Sequence, residues 1–130
     1  MFGALVVVFV PFKTNGNEMS LVSFALKEYL RMYSRDDEWD SMISDIGKWL
    51  LNGLSIDKSD PDEEIIIKFP INPLIVEVLE RTCYHHHIEV LDLSKYEDRQ
   101  ENIVLEKFLG KVLFSKEYIE LKANIHGALN

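Results

Sequence analysis

The chain has 130 residues, a formal net charge of −8, and hydrophobic and charged shares of 47% and 28%. Such a length suits one domain spanning residues 1–130, able to hide roughly two thirds of the surface its unfolded form exposes, and this balance argues against a disordered segment and against a membrane protein. The acidic charge repels phosphate backbones and no run of lysine or arginine opposes it, so a nucleic-acid partner is not expected.

The segment Met1 to Phe12 is apolar but has neither a basic leader nor a small-residue cleavage site, and it is too short to cross a bilayer. Its unbroken run Ala4 to Val10 reads as a strand covered on both faces, and as the central strand of a sheet. Lys13 to Asn17 supplies a turn, with Gly16 suited to positive φ and Asn17 to capping a helix. From Glu18 to about Tyr33 the spacing is helical. Val22, Ala25, Leu26, Tyr29 and Tyr33 share one face, and Ser20, Ser23, Lys27, Arg31 and Ser34 share the other. Asp36 then caps a second helix with Trp39, Met42, Ile43, Ile46, Trp49 and Leu50 turned inward, and Gly53 marks its end.

A charged, proline-broken loop leads through Asp60, Pro61, Asp62, Glu63 and Glu64 into a second strand, Ile65 to Phe69, stopped by Pro70. Asn72 and Pro73 open a helix whose Leu74, Ile75, Val78, Leu79 and Thr82 face in. A third apolar run, Ile88 to Leu93, follows. With a helix between two apolar runs, the stretch from Glu63 to Ser94 reads as a βαβ unit. Ser94 and Glu97 match a capping box for a helix that runs to about Leu109 and buries Val104, Leu105, Phe108 and Leu109. Beyond Gly110, residues 116–129 fit either a helix or a strand by periodicity, and their Glu, Leu, Lys and Ala content favours a helix.

The expected fold is therefore a three-layer α/β sandwich: a short, mostly parallel three-stranded sheet, order 2-1-3, flanked by helices. In such a sheet ligands bind where the strand order reverses, at the carboxyl ends of the strands. Lys13, Thr14, Asn15 and Asn17 would there face Asp92 and Ser94 beside two helix N-termini suited to an anion. Each of these residues is also ordinary turn or cap chemistry, and neither the Walker spacing nor GxGxxG is present, so no nucleotide cofactor is expected.

Two further clusters carry possible chemistry. Cys83, His85, His86 and His87 include zinc-ligand types, yet adjacent histidines diverge and no second cysteine completes a tetrahedral set, with only His126 elsewhere. Helix-terminal hydrogen bonding, with Cys83 as a small residue near the core, is the favoured account. In the acidic loop, Asp60, Pro61, Asp62 and Glu63 resemble the DxD segment of Toprim-type nucleases and topoisomerases. That resemblance implies Asp60 and Asp62 as Mg²⁺ ligands for phosphoryl transfer. It covers only those residues, and Pro11 to Thr14 stand where such domains carry a glutamate after their first strand.

The single cysteine makes no intrachain bridge and fits a reducing, cytoplasmic setting. Because no reactive constellation outweighs its structural reading, the expected function is a non-catalytic soluble binding or protein-interaction module. The alternatives are a small Mg²⁺-dependent hydrolase or nuclease using the acidic loop, and a binder of a small anionic ligand at the strand ends. The open edges of a three-stranded sheet make a protein partner or a homo-oligomer the expected company.

Overall fold

The computed structural model describes residues 7–32, 38–53 and 61–129, apart from the side chains at 38–40, 90 and 125–129. The expected cap Asp36, the candidate ligand Asp60, residues 1–6 of the first apolar run, and the side chains of Trp39 and His126 lie outside the described residues.

An even number of helices between two strands brings the chain back to the end of the sheet it left. The first strand, β1 (Val8–Thr14), is followed by α1 (Gly16–Met32), and α2 (Glu38–Gly53) then precedes β2 (Ile65–Ile71). β2 accordingly starts opposite the end of β1. The two pair antiparallel, from Thr14 with Ile65 to Val8 with Ile71. This corrects the expected three-layer sandwich and its parallel order 2-1-3: among the described residues the sheet has two strands, and the remaining regular elements are helices. β1 is an edge strand rather than a central one, and β2 runs through Pro70 rather than stopping there.

The expected third strand is also overturned. α3 (Pro73–His85) continues into a π-helical turn, His86–Val90, closed by Leu91 N donating to His86 O at 3.0 Å. Glu89 and Asp92 interrupt the apolar run there, and Ile88 faces solvent, so the run lacks the two covered faces that a buried strand requires. Two helices complete the chain: α4 (Tyr96–Leu113), which passes Gly110 without a break, and α5 (Lys116–Leu129), which resolves residues 116–129 as helix.

Helix starts follow local cap chemistry. Asn72 Oδ1 accepts from Ile75 N at 2.8 Å with Pro73 in the first turn, as expected. For α1 the cap is Asn15, not Asn17: its Oδ1 accepts from Glu18 N at 2.8 Å. Gly16 does not adopt positive φ. A Cβ there would lie 3.1 Å from Pro61 Cα, so close backbone approach is what suits glycine to the position. Ser115 caps α5 through Tyr118 N at 3.2 Å.

The ribbon alternates as a half-covered antiparallel sheet should. Val10, Phe12 and Thr14 of β1 and Phe69 and Ile71 of β2 point inward, while Phe9, Pro11, Lys13, Ile66 and Lys68 point out. Beneath it Phe12, Phe69 and Phe108 form an aromatic cluster, with Phe12 stacked on Phe69 at 5.4 Å and Phe108 edge-on to Phe69 at 5.3 Å. Met19, Val22, Ala25, Leu26 and Tyr29 of α1, Ile43, Ile46 and Leu50 of α2, and Ile75, Val78 and Leu79 of α3 extend this core. Each fully buried Leu, Ile or Phe contributes about 1.5–3 kcal/mol. α5 packs on β1 and α4 with Tyr118 buried.

Candidate functional site

The residues expected at the strand ends fall into two separate groups. Thr14 Oγ1 donates to Glu18 Oε1 at 2.6 Å, and Lys111 Nζ reaches the same carboxylate oxygen at 2.9 Å and Lys13 O at 2.8 Å. Asn15 is occupied as the α1 cap, while Asn17 Nδ2 donates to Asp62 Oδ1 and Asn17 N to Pro61 O at 3.1 Å. The second group stands at the opposite end of α4. Asp92 Oδ1 accepts from Ser94 Oγ at 2.7 Å and from Ser94 N at 3.0 Å, which holds the Asp92 carboxyl below the usual carboxylate range. Asp98 Oδ2 accepts from Asp92 N at 2.7 Å, and Lys95 rather than Ser94 is the cap position of α4. Lys111 lies near the last turn of α4, so the helical rise places the two groups about 22 Å apart along its axis. Lys13, Thr14, Asn15 and Asn17 thus share one locality, and Asp92 and Ser94 share another.

Asp62 is exposed and engaged with Asn17. Among the described residues no group of three His, Cys, Asp or Glu side chains has a metal-holding arrangement. The histidine run diverges as consecutive helical residues must. His85 is buried with its ring edge-on to Tyr29 at 6.1 Å. His86 is 0% exposed, its Nε2 lies 3.3 Å from Glu101 Oε2, and its ring meets Phe24 edge-on. His87 Nδ1 lies 2.9 Å from Asn102 Oδ1, and Asn102 Nδ2 donates to Glu106 Oε1 at 3.1 Å. His86 and His87 therefore fasten the end of α3 to α4. Burial pushes the Cys83 thiol up to about 12, assisted by the negative charges of Glu106 and Glu80, so it is a poor nucleophile and a poor ligand.

Two concavities stand out among the described residues. A shallow one of about 460 Å³ is lined by Tyr29, Glu77, Glu80, Arg81 and Tyr84. Its cation is already engaged, since the Tyr29 hydroxyl and Glu77 both hold Arg81 and raise its pKa above the ordinary value. The other, about 540 Å³, lies between β2 and the end of α2. Ile67, Lys68, Phe69 and Pro70 line it in succession, together with Phe9, Trp49 and Leu50. Trp49 and Phe9, 52% and 59% exposed, form its apolar walls.

Both walls escaped the sequence reading. Helical spacing puts Trp49 on the same stripe as Ile46 and Leu50, yet at the margin of that stripe the side chain stays half in solvent. Phe9 sat inside an unbroken apolar run, where only Pro11 hinted at an edge strand with one solvated face. No protein family, curated protein or solved structure compared with the chain matches it.

Proposed function

We propose that the chain is a non-catalytic protein-interaction module that receives an apolar segment of a partner protein in the groove between β2 and the end of α2. The observation that carries this reading is the placement of Trp49 and Phe9. Two large aromatic side chains, each more than half exposed, wall the same groove. Aromatic anchors of this kind dominate interface energetics because each covers about 150–250 Å² at low entropic cost. The net charge of −8 favours encounter with a basic partner over an acidic one.

Selection of random peptides displayed on phage against the native chain alone tests the reading, each enriched clone then being measured on Trp49→Asp. Enriched clones are expected to bind the native chain and to lose about tenfold or more on the variant. Clones that bind both proteins equally would place the binding surface elsewhere. Light scattering across a concentration series separates a foreign partner from a second copy of the chain. A mass that doubles in the native protein and not in Trp49→Asp would replace the foreign partner with self-association.

A further inference from the structure

We infer that the solvent face of α4 is a self-complementary surface on which two copies of the chain pair antiparallel, with Ile103 at the dyad; this is independent of the groove. α4 buries Leu105, Phe108 and Val112 on one side. Tyr96, Ile103 and Gly110 are spaced by seven, and at 3.6 residues per turn they fall on the opposite side, within about 20° of Ile103. Tyr96 is 64% exposed and Ile103 40%, and a Cβ on Gly110 would meet nothing within 4 Å. The face therefore presents a ring, a branched aliphatic residue and a gap along about 21 Å of helix.

An antiparallel pair centred on Ile103 seats the Tyr96 ring of each copy over Gly110 of the other, because both residues stand about 10 Å from the centre, on opposite sides of it. A parallel pair sets tyrosine against tyrosine and leaves two glycines facing across a void. The ring is already held in place. Arg99 lies over it at 6.0 Å and donates through Nη1 to Leu93 O at 3.1 Å and Ser94 O at 3.3 Å.

Charge fits the same dyad. Arg99 and Glu106 flank the line of Tyr96, Ile103 and Gly110 on one side, Gln100 and Lys107 flank it on the other, and all four are exposed. The dyad returns each side to itself with its ends reversed, so Arg99 of one copy meets Glu106 of the other, twice over, and Gln100 meets Lys107. Glu106 Oε1 accepts from Asn102 Nδ2 at 3.1 Å, and Oε2 is the atom left for the guanidinium. In a chain of net charge −8 these seven positions carry two cations and one anion, so the contact itself brings no excess of acid together. One helix from each copy buries no more than the roughly 1,200 Å² at the low end of stable complexes, which makes this a weak dimer that dissociates at micromolar concentration.

Light scattering tests the pairing. The mean mass of the native chain is expected to rise from 15.1 kDa toward twice that value between about 10 µM and about 1 mM. Arg99→Glu and Glu106→Arg each oppose like charges across the dyad, and each alone should stay at the mass of one chain. Mixed in equal amounts the two variants should pair, because every such contact then joins an arginine to a glutamate; variants that had failed to fold would not recover in this way. Gly110→Gln fills the gap that receives the ring, yet it favours the helix and its Cβ meets no atom of its own chain. It should hold the mass at one chain with a melting temperature no lower than the native one. A native mass independent of concentration overturns the dimer. A dimer that survives both charge reversals, or that is lost in Trp49→Asp, overturns its assignment to α4. A mixture of the two charge variants that stays monomeric overturns the pairing of Arg99 with Glu106, and a dimer that survives Gly110→Gln overturns the seating of Tyr96.

Discussion

The seam between α3 and α4 and the groove beside β2 use their side chains in opposite ways. In the seam, polar side chains pair across the helices: His86 meets Glu101, His87 meets Asn102, and Asn102 passes the contact on to Glu106. In the groove, apolar groups are exposed and uncovered, with Trp49 and Phe9 standing more than half in solvent. A residue's chemistry alone therefore misleads about its role here. The histidines look like ligands and serve as fasteners, while the aromatic pair looks like core and lines the groove proposed as a docking site.

The sharpest way to break this contrast is to show that the seam is open. Because burial raises the Cys83 thiol to about 12, its thiolate is scarce at pH 8, and iodoacetamide should react about a thousandfold more slowly with the native chain than with the chain in denaturant. The sign follows from linkage: the folded state holds the thiol proton more tightly, so this contribution to stability is full below the unfolded thiol pKa and declines as pH rises toward the folded one. Equal rates in the two states would mean that the seam admits solvent.

The two faces of the ribbon sharpen the groove side. Phe69→Ala removes the middle of the three-ring cluster and should cost about 3–5 kcal/mol in denaturant melts. Phe9→Ala, on the opposite face, should fall within about 0.5 kcal/mol of the native chain. Comparable losses would place Phe9 in the core and remove a wall of the groove. Smaller effects are expected from the pair that defines the contrast. His86→Ala should cost about 2–3 kcal/mol through the lost ring and the lost contact with Glu101. Trp49→Ala should cost less than about 1 kcal/mol. A reversed order in thermal melts would exchange the roles of the two regions.

Much of the helical layout was legible because it rests on local chemistry. The inward faces of α1 and α3, the cap at Asn72 and the helix over residues 116–129 follow from apolar spacing, side-chain acceptors and composition. The sheet was misread despite two available signals. Two helices separate the strands, which returns the chain to the end it left, and each strand contains a proline, Pro11 or Pro70, at home only on an edge. Apolar content outweighed both, and one run that looked like a third strand was the continuation of α3. The candidate site at the strand ends depended on that sheet. Its residues are caps and turns at two ends of α4, where an asparagine two positions from the true cap, or a serine beside Asp92, has the same composition as a binding loop.

Lys111 closes the exit of β1 by reaching Lys13 O from 98 positions further along the chain, and it also grips Glu18 at the start of α1. On a ribosome, that tie has to wait for α4, well after β2 has emerged to pair with β1. The ladder of β1 can therefore form before its exit is closed, and the turn into α1 gains this long-range tie later.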